Sequence, residues 1–296
     1  MSDLSPASPP ISWHNGEFVS TSNLHVTIND IGFRQGVVAV ERLRTYNGRV
    51  AALEPHVVRW RRTLEELYMT TPVDLDSIGV RIRSLLERNQ GWLKSVGDCG
   101  VVMLATPGTT LPAVAVEHPN EMMHLLAINH QRIERHRVQG QPLFVTDVEQ
   151  PSGKCWPRDI KVRCRLHYYL ADQRAHEHHP ESVGLLIDHD GTVTETSVAN
   201  IAIVRKGVVL APPSDQVLPG ITQQLVESAC ERLGVKWHSE RLWPSEIREA
   251  EEVWLMGTDG GLWFANRVDG RLINEGRPGE VYNSVLRAFD QLVREE

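Results

Sequence analysis

The chain has 296 residues, 41% of them hydrophobic, with a formal net charge of −7 and four cysteines. That length fits one large core or two modest ones, and two are expected; no Lys/Arg block is dense enough for a nucleic-acid or acidic-membrane partner. No stretch approaches the roughly 20 apolar residues of a membrane span, Met1 to Ile11 is polar and proline-rich, and Cys99, Cys155, Cys164 and Cys230 have neither zinc-site nor disulfide-framework spacing, so a cytoplasmic protein with reduced thiols is expected.

Short strands come first. Ser12 to Val19 folds back at Asn15-Gly16, Leu24 to Ile28 alternates apolar and polar residues, and Asn29-Asp30-Ile31-Gly32 makes a turn. Val37 to Tyr46 reads as a longer strand, closed by Asn47-Gly48 so that Val50 to Leu53 pairs back across it. Pro55 opens a helix in which Val57, Trp60, Leu64, Leu67 and Tyr68 recur at helical spacing, and Leu75 to Leu93 repeats that pattern with Ile78, Ile82, Leu85 and Leu86. Val101 to Ala105 and Met122 to Asn129 are apolar enough for buried strands. With Arg132, Arg135, His136 and Arg137 the composition turns basic and polar, as in a segment crossing between domains. The expected division is a smaller domain over residues 1–130, a crossing segment at 131–141 and a larger domain over 142–296.

The second half predicts a helix from about Val162 to Glu177, then strands at Val183 to Asp188, Ile201 to Arg205 and Val208 to Ala211, with turns at Asp190-Gly191 and Lys206-Gly207. A helix from about Thr222 to Leu233, strands at Val235 to Glu240 and Glu252 to Met256, and an amphipathic helix at Val281 to Val293 complete the chain. Strands and helices mix without regular βαβ alternation, which indicates an α+β architecture.

Several separated strings matter more than any element. In order they are Asp30-Ile31-Gly32-Phe33 with Gly36; Arg44-Thr45-Tyr46-Asn47-Gly48; Leu53-Glu54-Pro55-His56 with Arg59; Ile160-Lys161; Val193-Thr194-Glu195 with Asn200-Ile201; Leu218-Pro219-Gly220-Ile221-Thr222; and Gly257-Thr258. Taken singly each has a bland explanation: Lys161 as a solvated lysine at a helix start, Glu195 as a strand-end carboxylate, Pro219-Gly220 as a turn. Together, from about Trp13 to Leu292, the chain resembles the class-IV, or fold-type IV, pyridoxal-phosphate-dependent aminotransferases, a group that includes branched-chain and D-amino-acid aminotransferases and aminodeoxychorismate lyase.

The resemblance implies two domains with pyridoxal 5'-phosphate held between them, a homodimer, and amino-group transfer between an amino acid and a 2-oxo acid. It gives Lys161 the Schiff base and the proton shuttle, for which its amine must have a lowered pKa. Glu195 keeps the pyridine nitrogen protonated. The N–H groups of Ile221 and Thr222 and the Thr222 hydroxyl, at a helix start, can converge on the phosphate; Arg59 would add charge and Thr258 a donor. The backbone of Thr258 and Asp259 is the implied place for the substrate α-carboxylate.

Two departures stand out. Where many aminotransferases of the class place Asn-Tyr, this chain has Cys164-Arg165. Arg165, if it faced the ring, would stabilise the phenolate and lower the pKa of the Schiff base; a surface position on the helix is the alternative. On the strand Val37 to Tyr46, Val40 precedes Glu41 where an aromatic usually stands, and period two puts Val40, Arg42 and Arg44 on one face, either toward a substrate carboxylate or toward solvent. His176, His178 and His179 end a helix, where the dipole favours them, so no metal is expected. A lyase on the same scaffold, which needs no keto-acid acceptor, and a cofactor-binding protein without turnover are the competing readings.

Overall fold

The protein is described from a computed structural model covering residues 10–69, 77–109 and 119–295. Residues 1–9 and the helix start expected at Leu75 lie outside these. The chain forms two compact units, Met1–Ile128 with Ile160–Cys164, and Asn129–Asp159 with Arg165–Glu295. His130–Gln139 is a helix and a strand begins at Gln141, both within the second unit.

In the first unit β1 (Ile11–His14), β2 (Glu17–Ser20), β3 (Ala39–Tyr46), β4 (Arg49–Val50), β5 (Cys99–Thr106) and β6 (Asn120–Ala127) form one sheet in the order β2-β1-β6-β5-β3-β4. Its pairs are all antiparallel. Both hairpin turns read from the sequence form: Asn15-Gly16 and Asn47-Gly48 have positive φ at each residue, as the two-residue turn requires. One face of the sheet buries Leu43, Val101, Met103, Met123 and Leu125 against α2 (Leu53–Glu66) and α3 (Ile78–Arg88), with α4 (Gln90–Val96) beyond.

Two local expectations fail. Asp30 caps a short helix, α1 (Ile31–Gln35), by accepting from the Gly32 N–H at 2.7 Å, where a turn was expected. Leu24 to Ile28 forms no strand, and Val26 and Ile28 are exposed; alternation makes a strand only where an edge is free to pair and a face has something to bury against. On α2 the buried residues are His56, Arg59, Trp60, Thr63 and Leu64, whereas Tyr68 lies beyond the helix at φ 54 and is exposed. Three of these five inward residues are polar.

The second unit contains β7 (Gln141–Glu149), β8 (Val183–Ile187), β9 (Val193–Thr196), β10 (Asn200–Arg205), β11 (Val208–Ala211), β12 (Trp237–Ser239), β13 (Glu252–Gly257), β14 (Gly261–Val268) and β15 (Arg271–Leu272). They build a mixed sheet in the order β12-β11-β10-β13-β14-β7-β8-β9, with β15 on β14. Its helices are α5 (His130–Gln139), α6 (Leu166–His178), α7 (Ile221–Arg232), α8 (Pro244–Glu249) and α9 (Glu280–Glu295). β7 and β8 run parallel, and the connection between them carries both the Lys161 segment and α6. No described helix is long and apolar enough to cross a membrane, the four cysteines are free thiols, and the described residues contain no cluster of metal ligands.

Buried Glu252 ties α9 to this sheet. Its carboxylate accepts from the N–H groups of Val281 at 3.1 Å and Tyr282 at 2.8 Å, in the first turn of α9, and from Trp254 Nε1 at 2.8 Å. Gly279 leaves room for it, since a Cβ there would come within 1.8 Å of Glu252 Oε1. Glu252→Ala strips two helix donors and a buried indole of their acceptor, so urea unfolding should show a loss of about 3 kcal/mol; a change under about 0.5 kcal/mol, the range of a surface substitution, would refute the anchoring role.

Candidate active site

In the first unit the functional residues gather round Glu41. Alternation on β3 turns Glu41 toward the same side as Leu43, against α2, where it is fully buried. A carboxylate survives there only with partners. Arg59 grips it with a fork, Nε to Oε2 at 3.0 Å and Nη2 to Oε1 at 2.8 Å, while His56 Nδ1 lies 2.9 Å from Oε1. Burial pushes the Glu41 carboxyl up, but Arg59 and then His56 outweigh it and hold it well below the ordinary carboxylate range. His56 is pushed below its ordinary value by burial, helped by the Arg59 charge and opposed by Glu41. A neutral His56 facing an ionised carboxylate carries its proton on Nδ1 and donates it.

Lys161 joins this cluster through its backbone. The Val40 N–H donates to Lys161 O at 3.0 Å and the Arg163 N–H to Val38 O at 3.0 Å, on either side of an Ala39–Val162 bridge. Residues 161–163 thus pair with β3 through an isolated antiparallel bridge, and the helix expected from Val162 begins only at Leu166. The Lys161 N–H donates to Thr63 Oγ1 at 3.1 Å, and the Thr63 hydroxyl to the Arg59 carbonyl at 2.9 Å. Lys161, Thr63, Arg59, Glu41 and Val40 close a ring of contacts. By register, Lys161 and Val40 lie side by side on one face of the sheet, with Arg42 and Arg44 further along the same face. The Arg42 guanidinium lies over Gly100, where an added Cβ would meet Cζ at 2.6 Å, and Arg44 stacks 4.4 Å from the Tyr46 ring centroid.

In the second unit the cluster centres on Glu195, buried on β9. Its Oε1 accepts from the Tyr168 hydroxyl at 2.7 Å and Gln150 Nε2 at 3.1 Å; its Oε2 accepts from Asn200 Nδ2 at 3.1 Å and the Leu218 N–H at 3.3 Å. Asn200 Nδ2 also donates to the Leu218 carbonyl at 2.9 Å, which fixes the loop leading to Gly220. Gly220 has an ordinary φ of −73, so space and not backbone freedom demands glycine: a Cβ would fall 1.9 Å from Asn200 Oδ1. Ile221 and Thr222 then open α7, whose start has no side-chain cap. At the same end of the sheet, the turn at Thr258 and Asp259 follows Gly257, where a Cβ would meet the Val198 carbonyl at 2.3 Å. Glu195, Asn200, the 218–222 loop and Thr258 are therefore neighbours in this unit.

Arg165 stands at the N-cap of α6, donates to the Ser197 carbonyl and lies 4.6 Å from the Tyr168 ring centroid. Sequence reasoning missed Thr63, Tyr168 and Gln150. Thr63 was legible as the residue one helical turn after Arg59, whereas Tyr168 and Gln150 meet Glu195 only through contacts distant in sequence.

The cradle suits pyridoxal 5'-phosphate on chemical grounds. A protonated ring nitrogen wants a buried acceptor, and Glu195 is one; Gln150 Oε1 beside it is a further buried acceptor with no hydrogen-bond partner. A glycine-opened, uncapped helix start suits a phosphate. The fold is that of the fold-type IV enzymes: the branched-chain amino acid aminotransferase of Escherichia coli superposes with a TM-score of 0.84 at 21% identity over 96% of this chain and 94% of that one. The branched-chain aminotransferase of the archaeon Thermoproteus uzoniensis, with norvaline, also gives 0.84, at 20% identity over 97% and 96%. The chain belongs to the class-IV aminotransferase family, whose model matches residues 39–268, and is a pyridoxal-phosphate-dependent aminotransferase. D-alanine aminotransferases of Staphylococcus aureus (strain MSSA476) and Bacillus licheniformis are 26% and 24% identical, covering 94% and 95% of this chain and 96% of each relative.

Glu41→Gln keeps the shape but removes the charge facing Arg59. It should cost about 3 kcal/mol at pH 7, as breaking a buried pair does. A folded-state pKa held below the unfolded one gives stability that is complete above about 4.5, the ordinary glutamate value, and drains away as pH falls toward the folded value. The gap between parent and variant in urea midpoints should hence be constant from pH 6 to 8 and shrink below about pH 4.5; a gap that widens in acid contradicts the pairing.

Proposed function

We propose that Lys161 carries the pyridoxal phosphate of this aminotransferase and moves the proton at the substrate α-carbon. What supports the reading most is the ring of contacts from Lys161 through Thr63, Arg59, Glu41 and Val40, which spends a buried ion pair and three hydrogen bonds on fixing one lysine backbone. When bound, pyridoxal phosphate supplies an aldehyde that captures amines and a ring that accepts electrons from the substrate. The protein's residues do the rest. Glu195 holds a proton at the ring nitrogen, while the Ile221 and Thr222 N–H groups, the Thr222 hydroxyl, Arg59 and Thr258 bind the phosphate. Lys161 Nζ takes the α-proton and returns it on the cofactor side. Val40 lines the substrate side next to Lys161; Arg42, Arg44 and the backbone at Asp259 are the proposed carboxylate contacts. Arg165 acts through Tyr168, over whose ring it lies.

The substrates are an amino acid and a 2-oxo acid, and the relatives' names supply the donors to try first, D-alanine and the branched-chain amino acids. A homodimer is part of the proposal. Ile28 and Phe33 in one unit and Leu166, Tyr169 and Val198 in the other are large apolar side chains left exposed, and a second copy would cover them.

The test is the visible absorption of the purified protein with added cofactor, for the parent and Lys161→Ala, before and after a panel of L- and D-amino acids. The expected result is a yellow band bleached by some donors and restored by 2-oxo acids, and absent from Lys161→Ala. Bleaching that no 2-oxo acid reverses, with release of product in the absence of any acceptor, would favour a lyase. A protein that takes up no cofactor, or a variant that keeps the parent's band, would sink the assignment.

A further inference from the structure

We infer that Tyr168, supported by Gln150 and Arg165, is a positioning residue that sets the basicity of Glu195 and so fixes the proton on the cofactor's ring nitrogen. The inference rests on the proposed role of Glu195 and adds a residue that no class resemblance supplied.

The geometry leaves Tyr168 little freedom. Tyr168, Ala171 and Ala175 recur at spacings of three and four, so they share the face of α6 turned to the sheet, where both alanines are fully buried. Gly184 on β8 lets the helix come close: a Cβ there would meet the Ala171 carbonyl at 2.5 Å. The close approach brings the Tyr168 hydroxyl to Glu195 Oε1 at 2.7 Å, closer than the donors from Gln150, Asn200 and Leu218. Gln150 Nε2 donates to both the hydroxyl, at 3.2 Å, and Oε1, at 3.1 Å. Its backbone N–H is held by the Ile187 carbonyl at 2.8 Å. A carboxylate only accepts, so the amide must present its nitrogen. Arg165 covers the Tyr168 ring from the helix start. Burial and the Glu195 charge push the phenol well above its ordinary value, so it stays a donor throughout the working range.

Each donor to a carboxylate favours its charged form and weakens it as a base. The phenol, two amides and backbone N–H that donate to Glu195 are neutral, so these bonds stabilise its charge without neutralising it. In a buried pair of ring nitrogen and carboxylate, a weakened carboxylate leaves the proton on nitrogen; one stripped of its closest donor draws the proton toward Oε1.

The experiment uses Tyr168→Phe, which keeps the ring under Arg165 and loses only the hydroxyl, and ring-15N-labelled pyridoxal phosphate added to apoprotein. Cofactor affinity should fall roughly tenfold, the weight of one hydrogen bond to a charged group, and the 15N resonance should move toward its unprotonated position while thermal stability changes little. In a Glu195→Gln background the same substitution should change affinity less than about twofold, because its effect runs through the carboxylate. Gln150→Met, which removes the second donor on Oε1, should move the resonance the same way by a smaller amount, and it decides the matter if Tyr168→Phe does not fold. An unmoved resonance in folded variants, or equal affinity losses in both backgrounds, overturns the inference. If Glu195→Gln alone leaves resonance and affinity unchanged, the role given to Glu195 is what fails.

Discussion

One buried carboxylate organises the first unit. Glu41 has no water to stabilise its charge, so its position is tolerable only while Arg59 and His56 are in place. That requirement fixes the rotation of α2 against β3, because residues 56 and 59 must face the same rung. Thr63, one turn further along the same stripe, then has its hydroxyl where the Lys161 N–H arrives. The ion pair contributes modestly to net stability, since desolvation offsets much of its attraction; its larger effect is geometric, coupling an arginine and a lysine that lie about a hundred residues apart.

Glu195 is held by donors of a different kind. Glu41 is paired with a cation from its own unit, whereas the donors described at Glu195 are a phenol, two amides and a backbone N–H, all neutral. Neutral donors stabilise a charge and leave it available to a cationic guest. A side chain such as arginine in that position would satisfy the carboxylate and remove its use. Glu41 is thereby a framework group, and the neutral donors at Glu195 suit the ligand role proposed for it.

Much of this was legible in the sequence. The Asn-Gly turns, the strand to Tyr46, the helix after Pro55 and the strands round Ile201 and Val209 follow from local chemistry, and local chemistry is what sequence pattern encodes. The misses were non-local. Alternation at Leu24 to Ile28 found no partner, the basic stretch near Arg135 is an exposed helix face of α5, and β7 and β14 were overlooked although they pair in the middle of the sheet. The inward polar stripe of α2 was hidden because a pattern search for apolar residues passes over His56, Arg59 and Thr63. Their burial depends on a carboxylate supplied by another strand.

The late start of α6 shows how one such non-local contact propagates. Residues 161–163 could have continued into a helix, but β3 has an unpaired edge at Val38 to Val40, and the segment takes the strand pairing there. The first helical turn then holds Tyr168 in place of the residue four after the lysine, and that earlier position, Arg165, becomes the N-cap, one turn from the ring it covers. A tyrosine at residue 165 would stand outside the helix, away from the stripe that Ala171 and Ala175 press against β8. Arg165 thus caps the helix start, and the phenol that reaches Glu195 comes from one turn further on.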